Sequence, residues 1–286
     1  MINWKLIVSL GLSVLLLSGC GANNDTSADA NANTAADTAQ TVGDDSAASQ
    51  SQTNPDWEDR SDTVEVNNIS LYYEVKGSGK PIILVSANGG DHTNLYTERD
   101  QLVKAGYKVY SLDSRGQGNS TVLEEYHYED MAEDIYQFIQ ALKLDKPAYY
   151  GWSDGGITGL LLSVRHPEAL SIMAVSGANI NPEGANPEDE VVKEVKAEYE
   201  ETHDPLLRLM LDEPHIEPEE LSAITFPVLV TAGETDLILP EHTKLIADSL
   251  PNGKMEIVTG HDHQTYIYQS EIMGDMLIDF LKENNY

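Results

Sequence analysis

A glycine-flanked serine near the middle of the chain constrains the fold more than any other feature. The hexapeptide Gly151–Gly156 follows a short apolar run at residues 148–150 and opens a stretch to His166 with apolar residues at helical spacing. Glycines two positions on either side of Ser153 allow a strand and a helix to approach where a Cβ would collide. The pattern predicts a strand, a sharp turn and a helix, with the Ser153 hydroxyl exposed as a candidate nucleophile.

Apolar runs alternate with amphipathic stretches from Val64 to the C-terminus. This alternation is typical of helices covering a mostly parallel sheet, so we expect an α/β fold with a central sheet flanked by helices. Residues 64–76 alternate like an antiparallel pair or an edge strand. The predicted buried strands are 81–87, 108–113, 148–152, 171–178, 227–232 and 254–258, and the predicted helices are 129–144, 154–166, 241–250 and 266–281.

Residues 179–224 interrupt this alternation. They contain no strand-like run, and prolines at 182, 187, 205, 214 and 218 are expected to start or stop short helices. From residue 183 to 220 there are fourteen Asp or Glu against three basic residues. We expect a small helical lid over the strand ends, whose apolar residues either face a substrate or dock the lid on the core: Leu206, Leu207, Leu209 and Met210.

A serine nucleophile needs a base and an orienting acid, because its hydroxyl holds its proton near neutral pH. In this type of sheet the acid and then the histidine follow the serine along the chain. Asp236 lies on the loop after the run 227–232 and is favoured over Glu234 as the acid. His263, three residues after Gly260, is favoured over His261 as the base.

An oxyanion intermediate needs two backbone donors. The N–H of Asp154, directly after the nucleophile, is one candidate. The other is expected from the loop after the run 81–87, where Asn88 is favoured and Gly89 is the alternative.

The segment Leu112–Ser120 resembles the D-x-R-G-x-G-x-S segment of lidded α/β-hydrolases. Together with Gly151–Gly156, Gly233–Pro240 and Gly260–His263, the resemblance runs from about Val64 to the C-terminus. Residues 151–158 are especially similar to the valacyclovir-hydrolase-like branch of small-molecule esterases. The resemblance implies an α/β-hydrolase fold and a catalytic triad of Ser153, Asp236 and His263. One departure is Ser86-Ala87, where the family usually has His-Gly.

The N-terminus resembles a bacterial lipoprotein signal peptide, residues 1–19, with the lipobox-like sequence Leu17-Ser18-Gly19-Cys20. Cys20 is the only cysteine, which suits a lipid attachment site and provides no disulfide. An ordinary secretory signal is the alternative. Residues 20–62 have almost no large apolar residue and are predicted to be a flexible acidic linker before a domain at 63–286. We therefore expect a lipid anchor at Cys20 on the extracytoplasmic face of the cell membrane.

The formal net charge is −31, which disfavours nucleic acid as a partner. We expect no cofactor and no protein partner. A metal site at residues 261–263 is disfavoured because adjacent side chains on an extended segment point to opposite sides. The expected function is hydrolysis of a small-molecule carboxylic ester through an acyl-enzyme. The alternatives are an aminopeptidase or amidase of the same fold and a non-catalytic binding lipoprotein.

Overall fold

The sheet has eight strands, and its order explains where the functional loops meet. The computed structural model describes residues 56–286. The strands run in the order β1-β2-β4-β3-β5-β6-β7-β8. Strand β2 is antiparallel to both of its neighbours, β1 and β4, and from β4 to β8 all neighbours are parallel. The strands are β1 Glu58–Val66, β2 Ile69–Gly77, β3 Pro81–Val85, β4 Lys108–Leu112, β5 Ala148–Trp152, β6 Ile172–Ser176, β7 Val228–Thr235 and β8 Gly253–Asp262.

Seven α-helices complete the described part of the chain. They are α1 Tyr96–Lys104, α2 Tyr128–Leu142, α3 Asp154–Arg165, α4 Glu190–Thr202, α5 Pro205–Asp212, α6 Pro240–Ser249 and α7 Ile272–Glu283. Apolar residues of α2, α3 and α6 form one core with one face of the sheet, and those of α1 and α7 form a second core on the other face. Every residue of β5 is buried, since helices cover this strand on both faces.

The predicted fold class is confirmed, with some differences in the elements. Strand β1 begins at Glu58, before the predicted domain start at 63, because pairing along all of β2 satisfies the backbone of this polar segment. The helix α1 was not predicted. The last helix begins at Ile272 rather than Tyr266, because residues 263–269 form turns whose apolar side chains Tyr266 and Ile267 are buried without a helix.

Between β6 and β7 the chain forms the predicted helical insertion. It contains α4, α5 and two short 3-10 helices, Pro182–Gly184 and Pro218–Ala223. Proline occupies the first turn of both 3-10 helices and of α5, where its missing N–H costs no hydrogen bond. Asp189 and Asp204 cap α4 and α5 by accepting a backbone N–H two residues on.

The carboxyl ends of β3 to β8 lie at one edge of the sheet, where ligands bind in open α/β folds. Buried Arg115, after β4, fixes this edge to α2, since its Nε and Nη2 lie 2.7 and 2.6 Å from the two carboxylate oxygens of Asp134.

Residues 1–19, Cys20 and most of the predicted linker lie outside the described residues. Within residues 56–286 no helix has both the length and the apolar character needed to span a membrane.

Candidate active site

Ser153 occupies the sharp turn between β5 and α3. Its φ of 53° and ψ of −115° are rarely adopted by residues other than glycine. Its N–H donates to Ser176 O at 2.8 Å, which fixes the turn to the end of β6. A Cβ on Gly151 would lie 2.2 Å from Gly155 O, and one on Gly155 would lie 2.2 Å from Val85 O. Both glycines are therefore required by close backbone approach.

His263 and Asp236 form a buried hydrogen-bonded pair. Nδ1 of His263 lies 2.7 Å from Asp236 Oδ1. The carboxylate also accepts the N–H groups of Gly233 and Ile238, both at 3.0 Å. Burial alone would raise the pKa of Asp236, but the charge of His263 and these hydrogen bonds lower it overall. Burial would lower the pKa of His263, and the negative charge of Asp236 raises it overall.

The two competing residues have other contacts. Glu234 is exposed, and its Oε2 accepts the N–H of Gly260 at 2.7 Å. His261 places Nδ1 3.2 Å from Thr265 Oγ1. Neither residue is hydrogen bonded to His263 in the described part of the chain.

The His263 ring lies beside the Ser153 turn. A Cβ on Gly177, the residue after Ser176, would lie 2.5 Å from His263 Cε1, so the absence of a side chain here makes room for the ring. The indole Nε1 of Trp152 donates to His263 O at 3.1 Å. No hydrogen bond joins Ser153 Oγ to His263 among residues 56–286, and Nε2 of His263 has no partner among them either.

The two predicted oxyanion donors belong to segments that a side-chain hydrogen bond joins. Neither the Asn88 N–H nor the Asp154 N–H donates to an acceptor within residues 56–286. The side chain of Asn88 donates to Asp154 Oδ2 at 2.8 Å and to Leu206 O at 3.1 Å. Asn88 therefore joins the loop after β3 to the start of α3 and to the lid.

The carboxyl of Asp154 is buried, and burial raises its pKa to about 6 although Asn88, Tyr128 and His263 act to lower it. The Tyr128 hydroxyl is also buried and has no well-aligned hydrogen-bond partner in the described residues. Burial and the negative charge of Asp154 raise the pKa of Tyr128 well above its usual value. An acid whose pKa is raised towards neutrality thus lies next to Ser153.

A cavity of about 390 Å³ opens over Ser153 and Asp154. Its walls come mainly from the lid and from the loop after β7, and most of the side chains are apolar. The remaining lining residues include Tyr128, Asn179, Glu183 and Lys196. Among the four apolar lid residues singled out in the sequence, Met210 lines the cavity, whereas Leu207 and Leu209 are buried in the structure.

Sequence reasoning missed a second buried histidine pair. His92 donates its backbone N–H to Asp113 Oδ1 at 2.7 Å and places Nδ1 2.8 Å from the same oxygen. The other carboxylate oxygen accepts the N–H of Asn119 at 2.8 Å. Burial would lower the pKa of His92, and Asp113 and Glu74 raise it overall. The aspartate of the D-x-R-G-x-G-x-S segment was the available signal, because its side chain fixes the loop after β3 to the loop after β4.

Three comparisons with known proteins agree with this architecture. Residues 80–202 match the model of a family described as α/β hydrolase fold. The human protein Serine hydrolase BPHL is 25% identical over 251 residues, which cover 77% of this chain and 85% of the relative.

Two solved esterase structures superpose on most of the chain. The esterase EaEST from Exiguobacterium antarcticum has a TM-score of 0.68 and 21% identity, covering 77% of this chain and 98% of its own. A thermophilic esterase from Thermogutta terrifontis has a TM-score of 0.65 and 20% identity, and the superposition covers 79% of this chain and 100% of the esterase. The sheet order, the family match and these superpositions together show that the chain has the α/β-hydrolase fold.

Proposed function

We propose that this protein is a serine hydrolase that cleaves a small carboxylic ester through an acyl-enzyme on Ser153. The observation that carries the proposal is the hydrogen-bonded pair of His263 and Asp236 beside a strained serine that lines a cavity. A strained turn at a buried, hydrogen-bonded site indicates function, because such strain costs about 1–3 kcal/mol. The similarity to proteins named serine hydrolase and esterase supports the same reaction class.

In the proposed reaction, Ser153 Oγ attacks the ester carbonyl carbon while His263 Nε2 takes the serine proton. The Nδ1–H stays hydrogen bonded to Asp236, which holds the ring in the tautomer that leaves Nε2 free to accept. Collapse of the tetrahedral intermediate breaks the carbon–oxygen bond, and His263 donates its proton to the departing alcohol. Water then attacks the acyl-enzyme, with His263 again acting as base, and releases the acid.

Negative charge develops on the carbonyl oxygen in both steps. We assign its stabilisation to the N–H groups of Asn88 and Asp154, since both lack an acceptor within residues 56–286. The positive end of α3 adds to this stabilisation, because helix N-termini favour negative charge. The largely apolar walls of the cavity suit an uncharged acyl or alcohol group.

A panel of p-nitrophenyl esters, from acetate to longer acyl chains, tests the proposal on wild type and Ser153→Ala. Turnover should fall to the uncatalysed background in Ser153→Ala while the circular dichroism spectrum stays unchanged. Persistence of turnover in this variant would refute the serine mechanism.

Two matched pairs of variants test the assignments of base and acid. His263→Ala should abolish turnover and His261→Ala should keep it within about threefold. Asp236→Asn and Glu234→Gln form the second pair, with a large loss expected only in the first. The reverse outcome in either pair would exchange the assigned residue for its competitor.

Hydrolysis of aminoacyl esters or amides is a second candidate, favoured by the Asp154 and Glu183 carboxyls in the cavity lining. A substrate ammonium group near Asp154 would hold this acid in its charged form. An aminoacyl p-nitroanilide, compared with the uncharged acetyl analogue, distinguishes the candidates. Preference for the aminoacyl compound that disappears in Asp154→Asn would favour the second one.

We also propose that the hydrolase domain is anchored to the outer side of a bacterial membrane by lipid on Cys20. The lipobox-like sequence before the only cysteine of the chain supports this proposal. Two acyl chains hold a protein on a membrane far more firmly than one. Metabolic labelling with a fatty acid should mark the wild type and not Cys20→Ser; label in Cys20→Ser would refute it.

A further inference from the structure

A fully buried acid, Glu98, lies outside the proposed reaction. It belongs to α1, which directly follows the loop after β3 and the short 3-10 helix His92–Leu95. Its side chain has no solvent exposure, and neither carboxyl oxygen has a hydrogen-bond partner among residues 56–286. Burial raises its pKa to about 8, so the group is predominantly neutral at pH 7. A protonated carboxyl is both a donor and an acceptor.

Two buried hydroxyls on the same face of the sheet share this property. Ser86 Oγ and Ser111 Oγ also lack a hydrogen-bond partner in the described residues. Ser111 is paired across the sheet with Leu84, and Leu84 is paired with Tyr150 on its other side. Paired residues of neighbouring strands point to the same face, and Ser86 follows Leu84 by two positions. Ser86, Ser111 and Tyr150 therefore lie on the face of the sheet that α1 and α7 cover.

Two further observations place Glu98 at this cluster. The charge of Glu98 raises the pKa of Tyr150, so the two groups are close. A Cβ on Gly90 would lie 2.6 Å from Ser86 Oγ and 2.8 Å from Asn94 Nδ2, so Ser86 faces Asn94. Asn94 precedes Glu98 by four positions, about one helical turn. The acid and the hydroxyls thus lie on one side of the sheet, and Ser86 is two residues before Asn88.

An unpaired buried polar group lowers the free energy of unfolding by about 1–3 kcal/mol. Four such oxygens together would remove a large part of the stability of one domain. Buried polar clusters of this kind are usually satisfied by ordered water, which makes about three hydrogen bonds. We propose that Glu98, Ser86 and Ser111 bind one or more buried water molecules, and that Glu98 acts through them as a positioning residue for the Asn88 donor. This inference rests on the proposed function.

The other charged groups around α1 are engaged elsewhere. Asp275 on α7 accepts from Gln101 Nε2 at 2.8 Å. Glu74 on β2 accepts from Arg99 Nη1 at 3.1 Å. Burial raises the pKa of Tyr150, and the charge of Glu98 raises it further. Ionisation of Glu98 at alkaline pH would place an unpaired charge in the interior, in the helix that follows the Asn88 loop.

The test uses p-nitrophenyl acetate with wild type, Glu98→Gln and Glu98→Leu. Gln keeps a neutral donor and acceptor, so kcat should stay within about twofold at pH 7. Leu removes both functions, and kcat should fall about 10-fold or more with KM within about threefold, because an oxyanion donor acts mainly in the transition state. The alkaline decline of kcat around pH 8 in wild type should be absent in Glu98→Gln.

Several outcomes would overturn the inference. A Glu98→Leu variant that folds and keeps the wild-type kcat would refute the positioning role. An equal loss of kcat in Glu98→Gln and Glu98→Leu would also refute it. If Glu98→Leu does not fold, Ser86→Ala replaces it and should lower kcat at constant KM; unchanged kcat there also overturns the proposal. Asp100→Asn, an exposed carboxyl on the same helix, is the matched control and should keep wild-type kcat.

An experimental crystal structure adds an independent readout. Ordered water should lie within hydrogen-bond distance of Glu98 and at least one of the two serines, and a direct Glu98–Ser86 hydrogen bond in a dry site would refute the water-binding part. Failure here is distinct from failure of the proposed function. If turnover persists in Ser153→Ala, the serine mechanism fails whatever the Glu98 variants show.

Discussion

Substitution of Gly155 by alanine tests how closely the Ser153 turn is held against β3. The new Cβ would lie 2.2 Å from Val85 O, 2.8 Å from Val85 C and 2.9 Å from Ser86 O. Ordinary contacts begin near 3.4 Å, so the start of α3 would have to move away from β3 by about 1.2 Å. All three atoms belong to the backbone, and no side-chain rotation can relieve the overlap.

A shift of this size separates the Asp154 N–H from the Asn88 N–H. Misplacement by about 1 Å can lower turnover about 100-fold, and overpacking typically costs about 1–3 kcal/mol of stability. We therefore expect Gly155→Ala to lower kcat for p-nitrophenyl acetate about 100-fold. Its Tm should fall by several degrees, at about 2–4 °C per kcal/mol for a domain of this size.

Gly106→Ala separates loss of stability from displacement of the site. Gly106 has φ +97° and open space within 4 Å of the point where a Cβ would lie, and it precedes β4 at the opposite edge of the sheet. Its left-handed conformation disfavours alanine, so Tm should fall while kcat stays within about twofold. A folded Gly155→Ala with wild-type kcat would refute the reasoning about the turn.

Three further predictions concern the buried ionisable groups. Asp236→Asn should lower kcat about 10⁴-fold without changing the circular dichroism spectrum, and a loss below tenfold would remove Asp236 from the orienting role. The folded-state pKa of His92 lies above 6.5 because Asp113 outweighs burial. Protonated His92 therefore stabilises the folded state fully below pH 6.5, and this stabilisation is lost as the pH rises through the folded-state pKa. The free energy of unfolding in urea should show this decline in wild type and not in His92→Gln. Burial raises the pKa of the Asp154 carboxyl from 3.8 to about 6. Ionisation of this group therefore lowers the free energy of unfolding by about 3 kcal/mol as the pH rises from about 4 to about 6. Asp154→Asn should be more stable than wild type at pH 7 and similar to it below pH 4; equal Tm values at pH 7 would contradict this.

The sequence allowed prediction of the parts of the fold that depend on short-range patterns. Strand β5, the turn at Ser153 and helix α3 are contiguous, and their glycines and apolar spacing are visible within twenty residues. The placement of Asp236 and His263 at strand ends follows from the order of elements in the sheet. The distance of 2.7 Å between His263 Nδ1 and Asp236 Oδ1 depends on the tertiary structure and cannot be derived from spacing along the sequence.

Helix α1 was not predicted, for a physical reason. Its buried residues are Glu98, Arg99 and Leu102, so two of the three side chains that face the interior are ionisable. A search for apolar periodicity cannot find such a face. Arg99 is compensated by Glu74, a partner distant in sequence, and the Glu98 carboxyl has no hydrogen-bond partner among the described residues.

Three of the described residues that break local rules lie at the candidate site or in the helix that follows its loop. Ser153 has an unfavourable φ, Asp154 carries a buried carboxyl, and Glu98 is a buried acid in α1, the helix that follows the Asn88 loop. Each of these features costs stability that the apolar cores on both faces of the sheet must offset. Two of these residues, Ser153 and Asp154, line the cavity. Natural proteins accept such local costs where activity requires them, which is the pattern expected if the proposed reaction takes place at Ser153.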